Sequence, residues 1–138
     1  MIKSSSIIKE TRGFSLTELM VVLVIIGILV LLALPRLMPV VTKAKTTEAK
    51  IALKQIEMLQ KTYRFENDRY SGSINEIGFE QEKLITEGGT ARYKIKILEA
   101  DVTTFKAQAA AVVDFDNDGI FNIWIVDETG LIQETQPD

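Results

Sequence analysis

The sequence predicts an α+β protein in which a long N-terminal helix, membrane-spanning in its first half, packs on a four-stranded antiparallel sheet. Three observations predict this class. An apolar block occupies residues 19–34, a charged amphipathic segment follows it, and alternating apolar residues recur towards the C-terminus. A chain of 138 residues has room for one domain and little room for a second.

The apolar block is long enough to cross a membrane. As a helix, the segment from Phe14 to Leu34 would measure about 31 Å, which matches the hydrocarbon core of a bilayer. The alternative is a buried core helix, but a chain this small could not easily surround it on every side. A secretory signal peptide would have a shorter apolar run and small residues before its cleavage site, and this run ends at Pro35.

Glu18 is the charged residue of this segment and requires an explanation. A carboxylate facing lipid costs about 2.5–3.5 kcal/mol at the centre of a helix and less near its end. Either the side chain reaches the interface or it meets a cation. Because residues 19–34 contain no Lys or Arg, a cation would come from another chain or from a newly made N-terminus.

The N-terminal pattern is specific. A basic leader ends at Gly13, Phe14 and Glu18 follow, and the apolar run continues to Pro35. This pattern resembles the N-terminus of type IV pilins and type II secretion pseudopilins, in which a prepilin peptidase cleaves after the glycine and methylates the new N-terminal phenylalanine. The resemblance implies that Gly13 is the cleavage residue, Phe14 the N-methylated mature terminus, and Glu18 the partner of a neighbouring subunit's Phe14 amine.

Physical chemistry agrees with that implied pairing. A free α-amine is a cation at neutral pH. In lipid or in a dry filament core, the amine and the Glu18 carboxylate each need the other. Removing the basic leader would then allow the apolar helix to leave the membrane and enter a filament.

The resemblance also divides the chain into four segments. They are a removed leader (1–13), an apolar transmembrane and filament-core helix (14–41), the amphipathic half of the same helix (42–66), and a connecting loop with the C-terminal sheet (67–138). Pro35 and Pro39 either end the membrane helix or, as the resemblance implies, kink one long helix and contribute to assembly.

The amphipathic half carries two apolar patterns. Ala52, Ile56, Leu59 and Tyr63 form one helical stripe, and Ile51, Met58 and Phe65 recur every seven residues about 100° away around the helix. A polar arc opposite them contains Lys54, Glu57, Gln60, Lys61 and Arg64. The apolar residues form either one broad core-facing stripe or two seams, one for the protein's own sheet and one for neighbouring subunits.

A connecting loop and four strands follow. The loop spans residues 67–90 and includes a short turn over residues 74–77 that ends at Gly78. The stretch from Asp68 to Phe79 resembles the segment after the helix in some short type IV pilins, whereas Ser71 replaces the proline of major pseudopilins and their P-W-G motif is absent. Alternation and turn residues predict strands at 93–97, 105–113, 120–126 and 131–134. In the second strand, a row of small alanines would let the long helix approach closely.

The turn between the second and third strands is rich in carboxylates. Asp114, Asp116 and Asp118 alternate and precede Gly119, as at the start of a calcium loop. The twelfth position of such a loop should be Glu, but it is Ile125, so the full signature fails. Asp127 or Glu128 could serve only in a different geometry. The alternatives are an ordinary hairpin turn and a calcium site; no other cofactor is required.

Composition excludes several functions. The sequence contains no Cys and no His, which excludes disulfides, Cys/His zinc sites and His-based nucleophilic triads within the chain. A net charge of −3 disfavours direct nucleic-acid binding. An enzyme would depend on the Asp114, Asp116 and Asp118 carboxylates alone, and the sequence predicts no catalytic activity.

The sequence therefore predicts a structural subunit that polymerises through its N-terminal helix into a type IV pilus. Its expected partners are the prepilin peptidase, further copies and related pilins, and the inner-membrane assembly platform. The precursor would span the inner membrane once, and the assembled protein would be extracellular. The alternatives are a pseudopilin in a periplasmic type II secretion pseudopilus and, more remotely, a single-span membrane-anchored binding domain. Motility, adhesion, DNA uptake and secretion all remain open as tasks of the filament.

Overall fold

The structure, a computed structural model, describes residues 13–138. Helix α1 (Leu16–Asn67) precedes a short 3-10 helix (Ile85–Glu87) and four strands. The strands are β1 (Tyr93–Ala100), β2 (Phe105–Ala111), β3 (Ile123–Asp127) and β4 (Ile132–Gln136). The chain divides into two compact units, with the boundary between Met38 and Pro39. The predicted leader lies, apart from Gly13, outside the described residues.

Helix α1 continues through both prolines. It begins at Leu16 and ends at Asn67, so the prediction of one long helix is confirmed and the alternative, that Pro35 ends the membrane helix, is wrong. Its end has a local cause. Asp68 adopts a left-handed conformation with φ of 57°, which interrupts the helical hydrogen-bond pattern.

The four strands form one antiparallel sheet in the order β1-β2-β3-β4, as predicted. The strand boundaries differ from those predicted. Strand β1 extends beyond Ile97 to Ala100, past a register shift, and β3 begins at Ile123 instead of Ile120. Strand β2 ends at Ala111, two residues early, and β4 covers Ile132–Gln136 instead of 131–134. The later start of β3 arises because the Ile120 N–H donates to Asp118 Oδ1 at 2.7 Å, so Ile120 belongs to the loop of residues 114–121, here named the Asp-rich loop.

The core of the second unit lies between α1 and one face of the sheet. Tyr93, Ile95 and Ile97 are buried in alternation with exposed lysines, as the alternation predicted. The small face of β2 and the helix share one cluster: Phe105, Ala107, Ala109, Ala111, Ala49, Leu53 and Ile56. The alanine row and the helix therefore share one core, and the close approach of the two stays a prediction.

The two apolar patterns of the helix have different environments. Residues of the first stripe contact the core, and Ile56 is fully buried. The heptad residues Ile51, Met58 and Phe65 are 64%, 57% and 90% exposed. The single broad core-facing stripe is therefore wrong, and the described residues leave the second pattern facing outwards.

Two residues of the predicted polar arc, Glu57 and Gln60, are buried instead of solvated. Gln60 is accommodated because its side chain donates to Ser71 O at 2.7 Å and accepts from Ser71 N at 3.0 Å. Glu57 is accommodated because Lys54 Nζ lies 2.5 Å from its Oε2 and Lys61 Nζ donates to its Oε1. The interaction with Lys54 is the largest cause that lowers the pKa of Glu57 from its ordinary value, and the one with Lys61 is the second.

A buried polar hub at Asn122, the residue before β3, connects strands β1, β3 and β4. Asn122 is fully buried, and its Oδ1 accepts from Tyr93 Oη at 2.7 Å and from Trp124 Nε1 at 2.6 Å. Its Nδ2 donates to Glu134 Oε1 at 2.6 Å. Burial is the main cause that raises the pKa of Tyr93. Each polar atom therefore has the partner that its burial requires.

Candidate processing and assembly segment

The predicted cleavage position is accessible. Gly13 and Phe14 precede the first helical residue, Leu16, and both are exposed, Phe14 by 77%. A peptidase must bind backbone in an extended form, so a scissile bond just before a helix is better placed than one inside it. The structure thus leaves the two predicted processing residues accessible at the start of α1.

Glu18 has a partner within its own chain. Ser15 N donates to Glu18 Oε2 at 2.8 Å, and Glu18 N donates to Ser15 Oγ at 3.3 Å. This reciprocal pair is a capping box, in which both side chains satisfy free N–H groups at a helix start. The Ser-x-x-Glu spacing could have predicted it, but the sequence interpretation considered only the membrane interface and a cationic partner, and it missed Ser15.

The helical segment that follows has no apolar shelter inside the described chain. Every described residue from Gly13 to Val41 is exposed. Among the large apolar side chains of residues 14–34, exposure ranges from 41% at Val22 to 77% at Phe14. Helix α1 contains the one candidate membrane span found among the described residues. Such a surface requires lipid or protein around it.

Pro35 and Pro39 lie inside α1. Neither residue can donate a backbone hydrogen bond, so the helix lacks two of its regular bonds close together. The structure accommodates this loss without ending the helix. The predicted kink and the predicted role of both prolines in assembly remain predictions.

The Asp-rich loop forms a second cluster of predicted site residues. The structure brings Asp114, Asp116 and Asp118 together and adds Asp138, with one carboxylate oxygen from each within 4.8 Å of the others. Asp138 was missed because it is distant in sequence. Ile125, at the twelfth position, lies half-buried in β3. The fourth carboxylate therefore comes from the C-terminal residue, whereas Asp127 and Glu128 bond elsewhere.

Internal hydrogen bonds organise this loop. Asp114 accepts backbone bonds from Asn117 at 2.6 Å and from Gly119 at 2.7 Å, and the bond from Gly119 is the largest cause that lowers the pKa of Asp114. Asp116 has the opposite shift: desolvation first, and then the charges of Asp118 and the other carboxylates, raise its pKa. Carboxylate oxygens suit a calcium ion, which takes about six to eight oxygen ligands. The hydrogen bonds to these carboxylates also account for the shape of the turn.

Comparisons with known proteins support the sequence pattern. Residues 8–34 match the family described as the prokaryotic N-terminal methylation motif. The type IV major pilin protein PilA of Myxococcus xanthus is 40% identical over 92 residues, which cover 67% of this chain and 40% of that protein.

Type II secretion system core protein G is the other kind of relative. The Pseudomonas aeruginosa protein is 40% identical over 62 residues, covering 45% of this chain and 44% of that protein. The Dickeya chrysanthemi protein is 36% identical over 70 residues, covering 51% and 46%. The chain thus spans less than half the length of the relatives it matches. The motif, these relatives and the fold support a type IV pilin or pseudopilin family for the chain.

Proposed function

We propose that this chain is a structural subunit that polymerises through its N-terminal helix into a type IV pilus. The observation that carries the proposal is the exposed apolar half of α1, which begins beside an accessible Gly13-Phe14 bond. A surface of this kind is stable in a membrane before assembly and among other apolar helices afterwards.

Processing is the first step of the proposed pathway. A prepilin peptidase cleaves after Gly13 and methylates Phe14. The new amine of one subunit then pairs with Glu18 of its neighbour, because each charge loses its water in the filament core and needs an opposite charge nearby. The inner-membrane assembly platform and related pilins are the further partners in this proposal.

A pseudopilin of a type II secretion pseudopilus is the second candidate. It is favoured by the similarity to core protein G in two organisms at 36–40% identity. The pilus is preferred because the PilA alignment covers 67% of this chain, compared with 45% and 51% for these two core proteins G.

Mass spectrometry of two fractions of the native cells tests the proposal. We expect a peptide that begins at N-methyl-Phe14 in abundant filaments sheared from the cell surface. The same peptide confined to washed membranes would favour the pseudopilin. An intact leader in both fractions, with the peptidase active on other substrates, would refute either filament and leave a membrane-anchored domain.

Calcium binding by the Asp-rich loop belongs to the same proposal as an accessory feature. Four carboxylates in one cluster repel one another, so a bound divalent cation would stabilise the folded second unit, residues 39–138, here named the head. The test is the melting temperature in calcium and in chelator at equal ionic strength. We expect calcium to raise the melting temperature of the unsubstituted protein and to leave Asp116→Asn unaffected. An equal response of both proteins would contradict a site at this loop.

A further inference from the structure

The outward face of α1 within the second unit carries an apolar strip. Ile51, Met58 and Phe65, here named the outer stripe, are spaced by seven residues, so they lie above one another on one side of the helix. Single exposed apolar residues are normal on a surface, but three aligned ones, with Phe65 90% exposed, form a continuous contact surface.

One edge of the outer stripe is positively charged, because Lys54 and Lys61 lie four residues before Met58 and Phe65 and therefore next to them instead of opposite. Lys54 and Lys61 both pair with the single carboxylate of Glu57. The side chains of these lysines are 57% and 52% exposed, whereas Glu57 is buried. Two ammonium groups on one carboxylate leave one surplus positive charge, and it faces solvent beside the stripe.

Charge is segregated between the helix and the rest of the second unit. Residues 42–67 hold six Lys and Arg against three Asp and Glu, whereas residues 68–138 hold six against fourteen. Copies of this chain therefore offer each other complementary surfaces, the helix of one copy and residues 68–138 of another.

The Asp-rich loop, residues 114–121, is the head surface that best matches the stripe. It presents exposed Asp116 and Asp118 next to exposed Ile120 and Phe121, which are 44% and 42% accessible. Its backbone is already fixed by bonds to Asp114. A preformed loop loses little conformational entropy when it binds.

We infer that the outer stripe of one subunit binds the Asp-rich loop of a second copy. Asp116 and Asp118 would face Lys54 and Lys61, while Ile120 and Phe121 cover the stripe. An apolar helix in the same place would strip water from both lysines without replacing it, which is unfavourable.

The two surfaces are different, so the contact is heterologous and extends from copy to copy instead of closing a dimer. The inference rests on the proposed filament, and it names a contact outside the N-terminal apolar segment. The contact uses the Asp-rich loop in its calcium-free form, because a bound divalent cation would neutralise the carboxylates that face the lysines.

Crosslinking tests this contact cleanly because the chain contains no Cys. Met58→Cys and Ile120→Cys are combined in one chain, and filaments formed in cells are treated with a short flexible bismaleimide. We expect a ladder of covalent oligomers. The matched control combines Met58→Cys with Val102→Cys. Val102 is exposed and follows the acidic Asp101, as Ile120 is exposed and lies near Asp118, but it belongs to the turn at the other end of the sheet. This control should stay monomeric.

Charge reversal provides the second measurement. Asp116→Lys with Asp118→Lys, added to the crosslinking pair, should abolish the ladder, whereas Asp101→Lys should leave it unchanged. Circular dichroism of the purified heads checks that each variant folds. Filaments without the Met58–Ile120 ladder, or with an equal ladder from the Val102 control, would overturn this inference alone. Absence of filaments from the unsubstituted chain would instead refute the proposed function.

Discussion

The two units of this chain solve the burial of apolar side chains in opposite ways. In the second unit, Leu53, Ile56, Ala107 and Val126 are fully buried against one another. In residues 13–37 of the first unit, the large apolar side chains are all exposed. The second unit therefore carries its own core, whereas these residues of the first unit bury no apolar side chain. One helix contributes to both.

Removal of the first unit tests this comparison most severely, because we expect it to abolish filament formation and membrane insertion while the second unit still folds. A chain that begins at Thr42 keeps all of the core cluster, so we expect it to fold and remain monomeric. It should form no filaments and should not enter membranes. Circular dichroism, analytical ultracentrifugation and cell fractionation provide the measurements. An aggregated or unfolded fragment would mean that the first unit also supports the head.

The capping box gives the next largest expected effect, because it provides acceptors for the backbone N–H groups of Ser15 and Glu18 at the start of the apolar helix. Ser15→Ala removes the acceptor of the Glu18 N–H, at a typical cost of about 1 kcal/mol for a lost cap. We expect fewer filaments with unchanged stability of the head. Ser15→Thr can form the same bonds and should restore assembly. Equal filament yields for Ser15→Ala and the unsubstituted chain would show that the cap has no role in assembly.

The buried polar hub at Asn122 tests how much the head depends on its own core. Asn122→Leu leaves the Tyr93 hydroxyl and the Trp124 N–H without their buried acceptor. Each unsatisfied group costs about 1–3 kcal/mol, so the free energy of unfolding of the head should fall by about 2–6 kcal/mol. Urea denaturation measures it. The matched control is Asn75→Leu, at an exposed loop residue, which should lower the free energy of unfolding far less. Asn117 is not used as the control because its φ of 65° disfavours leucine.

Sequence patterns predicted well what depends on periodicity. The apolar run, the amphipathic half of α1 and the alternation in β1 each follow from side chains that repeat along one element. Wrong or missing predictions concern polar groups whose partners come from elsewhere in the chain. Gln60 is buried because it meets Ser71, and Asp138 joins the Asp-rich loop from the C-terminus. Only folding brings such groups together, so local patterns do not reveal them.

The candidate site divides along the same line. Gly13, Phe14 and Glu18 could be proposed because they form one contiguous motif, and their roles remain predictions. Ser15 was missed although its spacing to Glu18 is a recognisable cap signal. The hub at Asn122 had no such signal, because its four contacts join residues 93, 124, 134 and 136.

The smallest expected effect concerns Glu57, the buried carboxylate on the helix face of the head. Its pKa in the folded state is below the ordinary value of 4.5 because Lys54 and Lys61 bond to the charged form. A group with a lowered folded pKa stabilises the protein above its unfolded pKa and loses that contribution as the pH falls through the folded value. The free energy of unfolding of the head should therefore decrease below about pH 4.5. Glu57→Gln should be less stable at pH 7 and should approach the unsubstituted head as the pH falls, whereas Glu87→Gln, at an exposed position, should follow the unsubstituted head throughout. A constant difference between the Glu57→Gln head and the unsubstituted head from pH 7 to pH 3 would mean that the ion pairs contribute nothing and that the amide acts only through packing.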